Sequence, residues 1–329
     1  MIITQTPLRI SFAGGGTDLK EFYRFEDGKV ISTAIDKYIF VIVNERFDNK
    51  IYINYTKKEI VDSVDEIKHE LVREAMKMTG IKNGIEVTML ADIPSEGSGL
   101  GSSSSLTVGL LNAFYIFQGE QVPTERLADE ACKIEIDICK KPIGKQDQYI
   151  AAYGGIREFT FKKDGTVDVT KISLDPKEFR KLGSDLLLFY TNKTRKSSEI
   201  LTEQKKNTED KLEYLRKLKL FVPQVKNAIK SKQYHIVGEI LHESWKIKKN
   251  LAKKITNNDI NTMYEMALSA GAIGGKVSGA GGGGFLLLYV PRHKQDAVRN
   301  ALKDYRELPF HLEQDGSKVI FNLRRYPAK

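Results

Sequence analysis

The amino-acid sequence predicts an α+β protein of two domains that meet near residue 180. Strand-like runs, alternating or wholly apolar, are interspersed with helical periods through the first half. The texture changes near Lys181, where a buried strand gives way to a long lysine-rich helical stretch. Glycine-rich turns in both halves lead directly into strongly apolar elements. With 329 residues there is enough chain for two ordinary domains with cores of their own.

Residues 1–12 alternate and are rich in Ile, Thr and Phe, the pattern of a strand, which Gly14, Gly15 and Gly16 end. Further strands are predicted at 38–43, 50–55 and 84–91, with a helix over 64–78 between them. A helix starts near Pro123 and Thr124, carries Glu125 in its first turn, and runs to about Lys140. Residues 160–172 form a hairpin about Asp164 and Gly165. In the second half, 185–190 is a buried strand and 197–254 is helical. Asn258 or Asp259 then caps a helix that Gly271 ends. A glycine-rich turn, a strand at 285–290, a helix at 293–305 and terminal strands complete the chain. Residues 1–180 are thus assigned to an N-terminal domain and 181–329 to a C-terminal one.

Hydrophobic residues make up 41% and charged residues 29%, the balance of a soluble globular chain. No apolar run approaches the roughly 18 residues of a membrane span, and residues 1–5 carry no signal-peptide pattern. A cytoplasmic protein without a membrane partner is expected. The net charge of +9 comes from 52 Lys and Arg against 43 Asp and Glu. Between 205 and 254 the basic residues alternate with apolar ones at helical spacing, which is the solvated face of amphipathic helices, so no nucleic-acid partner is expected. Cys132 and Cys139 lack metal or redox spacing, and His69, His235, His242, His293 and His311 are too scattered to bind a metal.

The segment carrying chemistry is 94–105, Pro-Ser-Glu-Gly-Ser-Gly-Leu-Gly-Ser-Ser-Ser-Ser. It feeds 106–117, which is apolar nearly all round and so belongs inside the protein. The start of such a helix brings free N–H groups and partial positive charge into a partly dry place. Glycines let the backbone close around an anion, and serine hydroxyls reach phosphate oxygens or a metal. A serine-capped helix start is the plainer reading of the same run. The lysine-containing nucleotide loop G-x-x-x-x-G-K-[ST] is absent, and the glycines at 97, 99 and 101 do not give G-x-G-x-x-G.

This segment resembles the P-x-x-x-G-L-x-S-S phosphate loop of the GHMP kinases, the superfamily of galactokinase, homoserine kinase and mevalonate kinase. Three more stretches are similar to motifs of that family, in the same order. Residues 7–19 resemble its P-x-R strand and G-x-x-T-D turn, Glu135 with 144–148 resembles a helix glutamate followed by G-x-x-D-Q, and 274–285 resembles its C-terminal G-A-G-G-G-G turn. The resemblance implies a GHMP kinase fold, with an N-terminal domain like domain 2 of ribosomal protein S5 and a ferredoxin-like C-terminal domain. It implies ATP bound by Gly97, Ser98, Gly99, Leu100, Gly101, Ser102, Ser103 and Ser104, and Mg²⁺ held by Ser103 and Glu135. Asp147 becomes the catalytic carboxylate, with Arg9 beside the transferred phosphoryl group. Asp18, with Gly15, Gly16 and Thr17, becomes the sugar contact, and Gly281 and Gly282 face the substrate.

Galactokinases carry bulky polar residues where Gly15 and Gly16 stand, so more room around the sugar is expected here. The form of the first motif and residues 241–264 look like D-glycero-D-manno-heptose 7-phosphate kinases and the kinase part of L-fucose kinases. The resemblance implies phosphorylation of an anomeric hydroxyl, on the heptose 7-phosphate first and on a fucose-like sugar as the alternative. A sugar phosphate needs cationic contacts, for which Arg195 and Lys193 are the candidates. An exposed basic loop is the plainer reading of those two. The expected assembly is a monomer or homodimer.

Overall fold

The structure is a computed structural model and describes residues 1–94, 97–193 and 197–323, without the Ser197 side chain. In chain order the strands are β1 (Ile2–Ala13), β2 (Gly28–Glu45), β3 (Ile51–Asn54), β4 (Lys58–Val61), β5 (Ile85–Ala91), β6 (Ile156–Phe161), β7 (Val167–Lys171), β8 (Leu186–Tyr190), β9 (Gly274–Val277), β10 (Phe285–Tyr289), β11 (Leu312–Glu313) and β12 (Lys318–Asn322). The helices are α1 (Lys20–Tyr23), α2 (Glu70–Thr79), α3 (Ser102–Gln118), α4 (Thr124–Cys132), α5 (Gln146–Tyr153), α6 (Pro176–Ser184), α7 (Ser197–Lys206), α8 (Leu212–Lys230), α9 (Tyr234–Lys248), α10 (Asn258–Ser269) and α11 (Gln295–Ala301). A π-helical segment, Lys133–Ile138, continues α4.

The first sheet is organised around β2, a strand of 18 residues. β1 runs antiparallel along one edge, from Ile2 opposite Val43 to Ala13 opposite Ile31. The other edge is shared, with β6 pairing Gly28–Thr33 and β5 pairing Ile39–Glu45. β3 joins β5 in parallel, and β4 and β7 close the two ends. One face is covered by α2, α3, α4 and α5, with α3 at the centre and Val108, Leu110, Leu111 and Phe114 fully buried. Gly109 lets α3 come close to β1, since a Cβ there would lie 2.8 Å from Thr6 Oγ1.

The second sheet is β8-β10-β9, wholly antiparallel. Residues 306–308 run along the free edge of β8, where Tyr190 N–H donates to Arg306 O (2.8 Å) and Leu308 N–H to Leu188 O (2.8 Å). Helices α8 and α9 lie between the two sheets. Leu8, Ile10 and Phe12 of β1 share one core with Val222 and Val225 of α8, Leu241 of α9 and Leu287 of β10. The halves are therefore joined by a buried apolar layer. A third core packs α10 and α11 beneath the small sheet.

The C-terminal segment departs from the expected division at residue 180. Leu312–Glu313 pairs with β2 and Lys318–Asn322 with β1, so the last strands return to the first sheet. The free edge of β1 supplies the reason, because unpaired strand N–H and C=O groups are satisfied best by another strand. Among the described residues, no helix is long and apolar enough to cross a membrane.

Candidate active site

Three positive-φ glycines shape the loop before α3: Gly97 (φ 73°), Gly99 (φ 72°) and Gly101 (φ 82°). This left-handed backbone suits glycine alone among ordinary residues. A Cβ on Gly99 would lie 2.6 Å from Ser278 O, and one on Gly284 would lie 2.5 Å from Ser98 O. The loop and the C-terminal glycine turn thus touch backbone to backbone. Between them and β1 opens a cavity of about 820 Å³, lined from both halves of the chain.

Arg9 and Asp147 form the floor. Arg9 Nε donates to Asp147 Oδ1 at 2.7 Å and Nη2 to Oδ2 at 2.5 Å, a two-point ion pair. Its remaining Nη1 donates to Gly99 O at 2.6 Å, which ties the pair to the loop. Asp147 sits in the first turn of α5, whose N–H dipoles favour a carboxylate. Asp18 is buried beside it, with Oδ1 accepting from Gly16 N–H (2.9 Å) and Oδ2 from Gln146 N–H (3.3 Å). Burial first, and then the Asp147 charge, raise the Asp18 carboxyl above its ordinary value, while these N–H groups oppose the rise. Gly144 makes this approach feasible, since a Cβ there would lie 2.0 Å from Asp18 Oδ2.

Glu135 lies fully buried in the π-helical segment, where the widened turn re-aims a side chain. Its carboxylate accepts from Ser103 Oγ (2.7 Å), Ser104 Oγ (2.7 Å) and Gln148 Nε2 (2.6 Å), with Lys141 Nζ 3.7 Å away. Ser103 Oγ and Glu135 Oε1 are hydrogen-bonded side by side at the start of α3, where both could turn to one cation. Both are hard oxygen donors and fit Mg²⁺. Among the described residues no three His, Cys, Asp or Glu side chains cluster.

Several residues named from the sequence lie elsewhere or act indirectly. Leu100 has its side chain buried in the core between the halves, while its carbonyl accepts from Arg9 N–H at 3.0 Å and its N–H donates to Ser98 Oγ at 3.4 Å. Thr17 is buried away from the cavity, its Oγ1 2.8 Å from both Gly14 O and Lys29 O, where it fixes the turn that presents Asp18. Gly282 N–H is given to Ile255 O at 2.7 Å, whereas Gly281 lines the cavity. Lys193 does not line it: its Nζ is 3.0 Å from Asp259 Oδ2, over a separate surface hollow of about 310 Å³. Arg195 is outside the described residues. Gly15, Gly16 and the loop residues from Gly97 to Ser104, Leu100 excepted, border the cavity.

Sequence reasoning passed over Ser11, Ser244, Lys248, Lys276 and Ser278, all lining the cavity. Lys248 Nζ donates to Gly279 O at 2.5 Å, and Lys276 Nζ lies 3.4 Å from Phe12 O. Removal from water, then the Arg9 charge, lower Lys248 to about 8, against an opposing pull from Asp18. Burial, with Lys248 and Arg9 nearby, holds Lys276 well below the ordinary lysine value.

Comparison with known proteins agrees with this architecture. Residues 54–155 match the family described as GHMP kinases N terminal domain, and 225–307 match GHMP kinases C terminal. The chain is 31% identical to the D-glycero-alpha-D-manno-heptose 7-phosphate kinase of Campylobacter jejuni, over 92% of this chain and 93% of that one. It is 26% identical to the galactokinase of Pyrococcus furiosus, again over 92% and 93%. A crystal structure of a D-glycero-D-manno-heptose 1-phosphate kinase from Bacteroides thetaiotaomicron superposes with a TM-score of 0.83, at 24% identity, over 98% of this chain and all of that one. The chain belongs to the GHMP kinases, ATP-using enzymes of two-domain fold, and within them it is a sugar kinase, a phosphotransferase with an alcohol group as acceptor.

Proposed function

We propose that the protein transfers the γ-phosphoryl group of ATP to the anomeric hydroxyl of D-glycero-D-manno-heptose 7-phosphate, giving the 1,7-bisphosphate. The reading places it in the cytoplasm, on the way to nucleotide-activated heptose for surface polysaccharide. The observation that carries the chemistry is the Arg9–Asp147 pair, set between the phosphate loop and the turn holding Asp18. The choice of sugar rests on the 31% identity to the Campylobacter heptose 7-phosphate kinase and on the room beside Gly15, where a Cβ would meet nothing nearer than Gln146 Nε2 at 3.9 Å. The space beside Gly16, expected open from the sequence, is filled by Gln204 and Leu215.

ATP phosphates lie on the loop before α3, where free N–H groups and serine hydroxyls face them. Asp18 accepts hydrogen bonds from sugar hydroxyls and fixes the ring. Asp147 keeps a lone pair free of Arg9 on each oxygen and takes the hydrogen bond of the anomeric hydroxyl. The C1 oxygen then bonds to the γ-phosphorus, the bond from that phosphorus to the β,γ-bridging oxygen breaks, and the hydroxyl proton passes to Asp147. Arg9 offsets charge on the equatorial oxygens, so positioning and electrostatics supply most of the acceleration. Mg²⁺, held by Ser103 and Glu135, would screen the phosphate charges when bound.

The test is ADP release with MgATP against D-glycero-D-manno-heptose 7-phosphate, L-fucose, D-mannose and galactose. Preferred turnover of the heptose phosphate is expected. Preference for L-fucose would move the assignment to the fucose-like sugar 1-kinases, and no ADP with any sugar would remove the reading.

A further inference from the structure

The cavity holds an imbalance that the phosphate loop and catalytic pair do not absorb. Four of its lining residues are basic: Arg9, Lys141, Lys248 and Lys276. Arg9 is paired with Asp147, and Lys141 stands 3.3 Å from Glu70 and 3.7 Å from Glu135. Among the described residues, Lys248 and Lys276 have no carboxylate within ion-pair distance, and only backbone carbonyls hold their ammonium groups. Asp18 pulls on Lys248 alone, and both lysines stay below their ordinary proton affinity. Charging both lysines in a partly dry cavity is costly unless an anion joins them.

A second observation is independent of charge. Ser244 and Ser278 line the same wall, are only 3% and 4% exposed, and their hydroxyls have no hydrogen-bond partner among the described residues. Ser11 Oγ, on the β1 side, is likewise unpartnered. Buried hydroxyls are normally satisfied, so several orphans around one cavity mark where a ligand supplies the partners. The spacing is consistent: Ser244 and Lys248 are one turn apart on α9, and Lys276 and Ser278 are two apart along β9 and its extension, so each pair shares a face.

We propose that Lys248 and Lys276, with Ser244 and Ser278, form the seat for the phosphate that the acceptor sugar already carries. This rests on the sugar-phosphate reading above and deepens it. The seat belongs to α9 and β9 of the second half, while Asp147 and Asp18 come from the first, so the sugar lies between them. Its anomeric end meets Asp147 and its phosphorylated end meets the lysines. Lys193, proposed from the sequence for this phosphate, lies outside the cavity with its Nζ 3.0 Å from Asp259 Oδ2. The two lysines distinguish sugar phosphates from free sugars.

The γ-phosphate of ATP shares this chemistry, so the test separates the two sources. Steady-state kinetics would be measured for the wild type, Lys248→Met, Lys276→Met and the conservative Lys248→Arg, with D-glycero-D-manno-heptose 7-phosphate and MgATP varied in turn. The expected result is a rise of about tenfold to a hundredfold in KM for the sugar phosphate in both Met variants. KM for MgATP should stay within about twofold, with substantial recovery in Lys248→Arg. Equal losses toward MgATP would assign the lysines to the nucleotide, and an unchanged sugar-phosphate KM would remove the seat; either result overturns the proposal. A wild type that ignores the heptose phosphate but phosphorylates a free sugar would instead overturn the substrate reading. If the Met variants fail to fold, calorimetry on the wild type decides. Titration with the sugar phosphate at pH 8.5, in buffers of different ionisation enthalpy, should record proton uptake as Lys248 regains its charge. No uptake overturns the seat.

Discussion

Arg9 and Asp147 stand 138 residues apart in sequence and share two hydrogen bonds, and the arrangement sets what Asp147 can do. A carboxylate held at both oxygens by a guanidinium is fixed in place, suited to orienting the acceptor hydroxyl and to taking its proton as that oxygen bonds to phosphorus. Asp147→Asn keeps the shape and removes the charge. It should lower kcat by about a hundredfold to ten-thousandfold while leaving KM for MgATP nearly unchanged. A kcat near the wild-type value, in a variant with unchanged melting temperature, would discard the proton-accepting role. At this scale the sequence was unevenly legible. Positive-φ glycines and the serine pair leave a visible trace because few residue types can stand there. Lys248 and Lys276 leave none, being two among 52 basic residues. Only the fold distinguishes them from the lysines on the solvated faces of α8 and α9.

Elements were legible where burial wrote a pattern and illegible where pairing did the work. The apolar second half of β2 is evident in sequence, whereas its first half, Gly-Lys-Val-Ile-Ser-Thr-Ala-Ile, mixes small and polar residues and shows no strand pattern. It is a strand because β1 and β6 flank it on both sides. The lysine-rich stretch keeps a helical period throughout, yet it divides into α7, α8 and α9. One reversal falls at Lys232, whose φ of 60° no helix continues. The predicted helix to Lys140 changes from α to π at Lys133, a shift no periodicity announces. The loop before α3 gives the sharpest test among the elements. Gly99→Ala places a Cβ 2.6 Å from Ser278 O at φ 72°, so the loop must move. KM for MgATP should rise about tenfold or more. Gly15→Ala, whose Cβ would have nothing nearer than Gln146 Nε2 at 3.9 Å, should leave it within about twofold. Equal effects of the two would mean that backbone contact at the seam is unimportant for nucleotide binding.

Across the whole molecule, the boundary predicted near residue 180 marks a change of sheet rather than a division of stability. Leu8, Ile10 and Phe12 from the first half share a core with Val222, Val225 and Leu241 from the second, and β11 and β12 carry the end of the chain back to the first sheet. Unfolding either half exposes the same apolar layer, which favours a single transition. Differential scanning calorimetry should record one cooperative peak, shifted upward by ATP or by sugar phosphate alone in accord with their affinities. Two resolved peaks, only one of them moved by each ligand, would show that the halves melt separately.

The meeting of Gly99 with Ser278 and Gly279 is made wholly of main chain. A joint without side chains offers mutation nothing to adjust, since any replacement at Gly99 or Gly279 forces atoms apart. Variation that preserves phosphate transfer is therefore steered to the opposite wall, where α9 and β9 present ordinary side chains. Sequences of this architecture can exchange one acceptor for another there while the nucleotide end stays fixed.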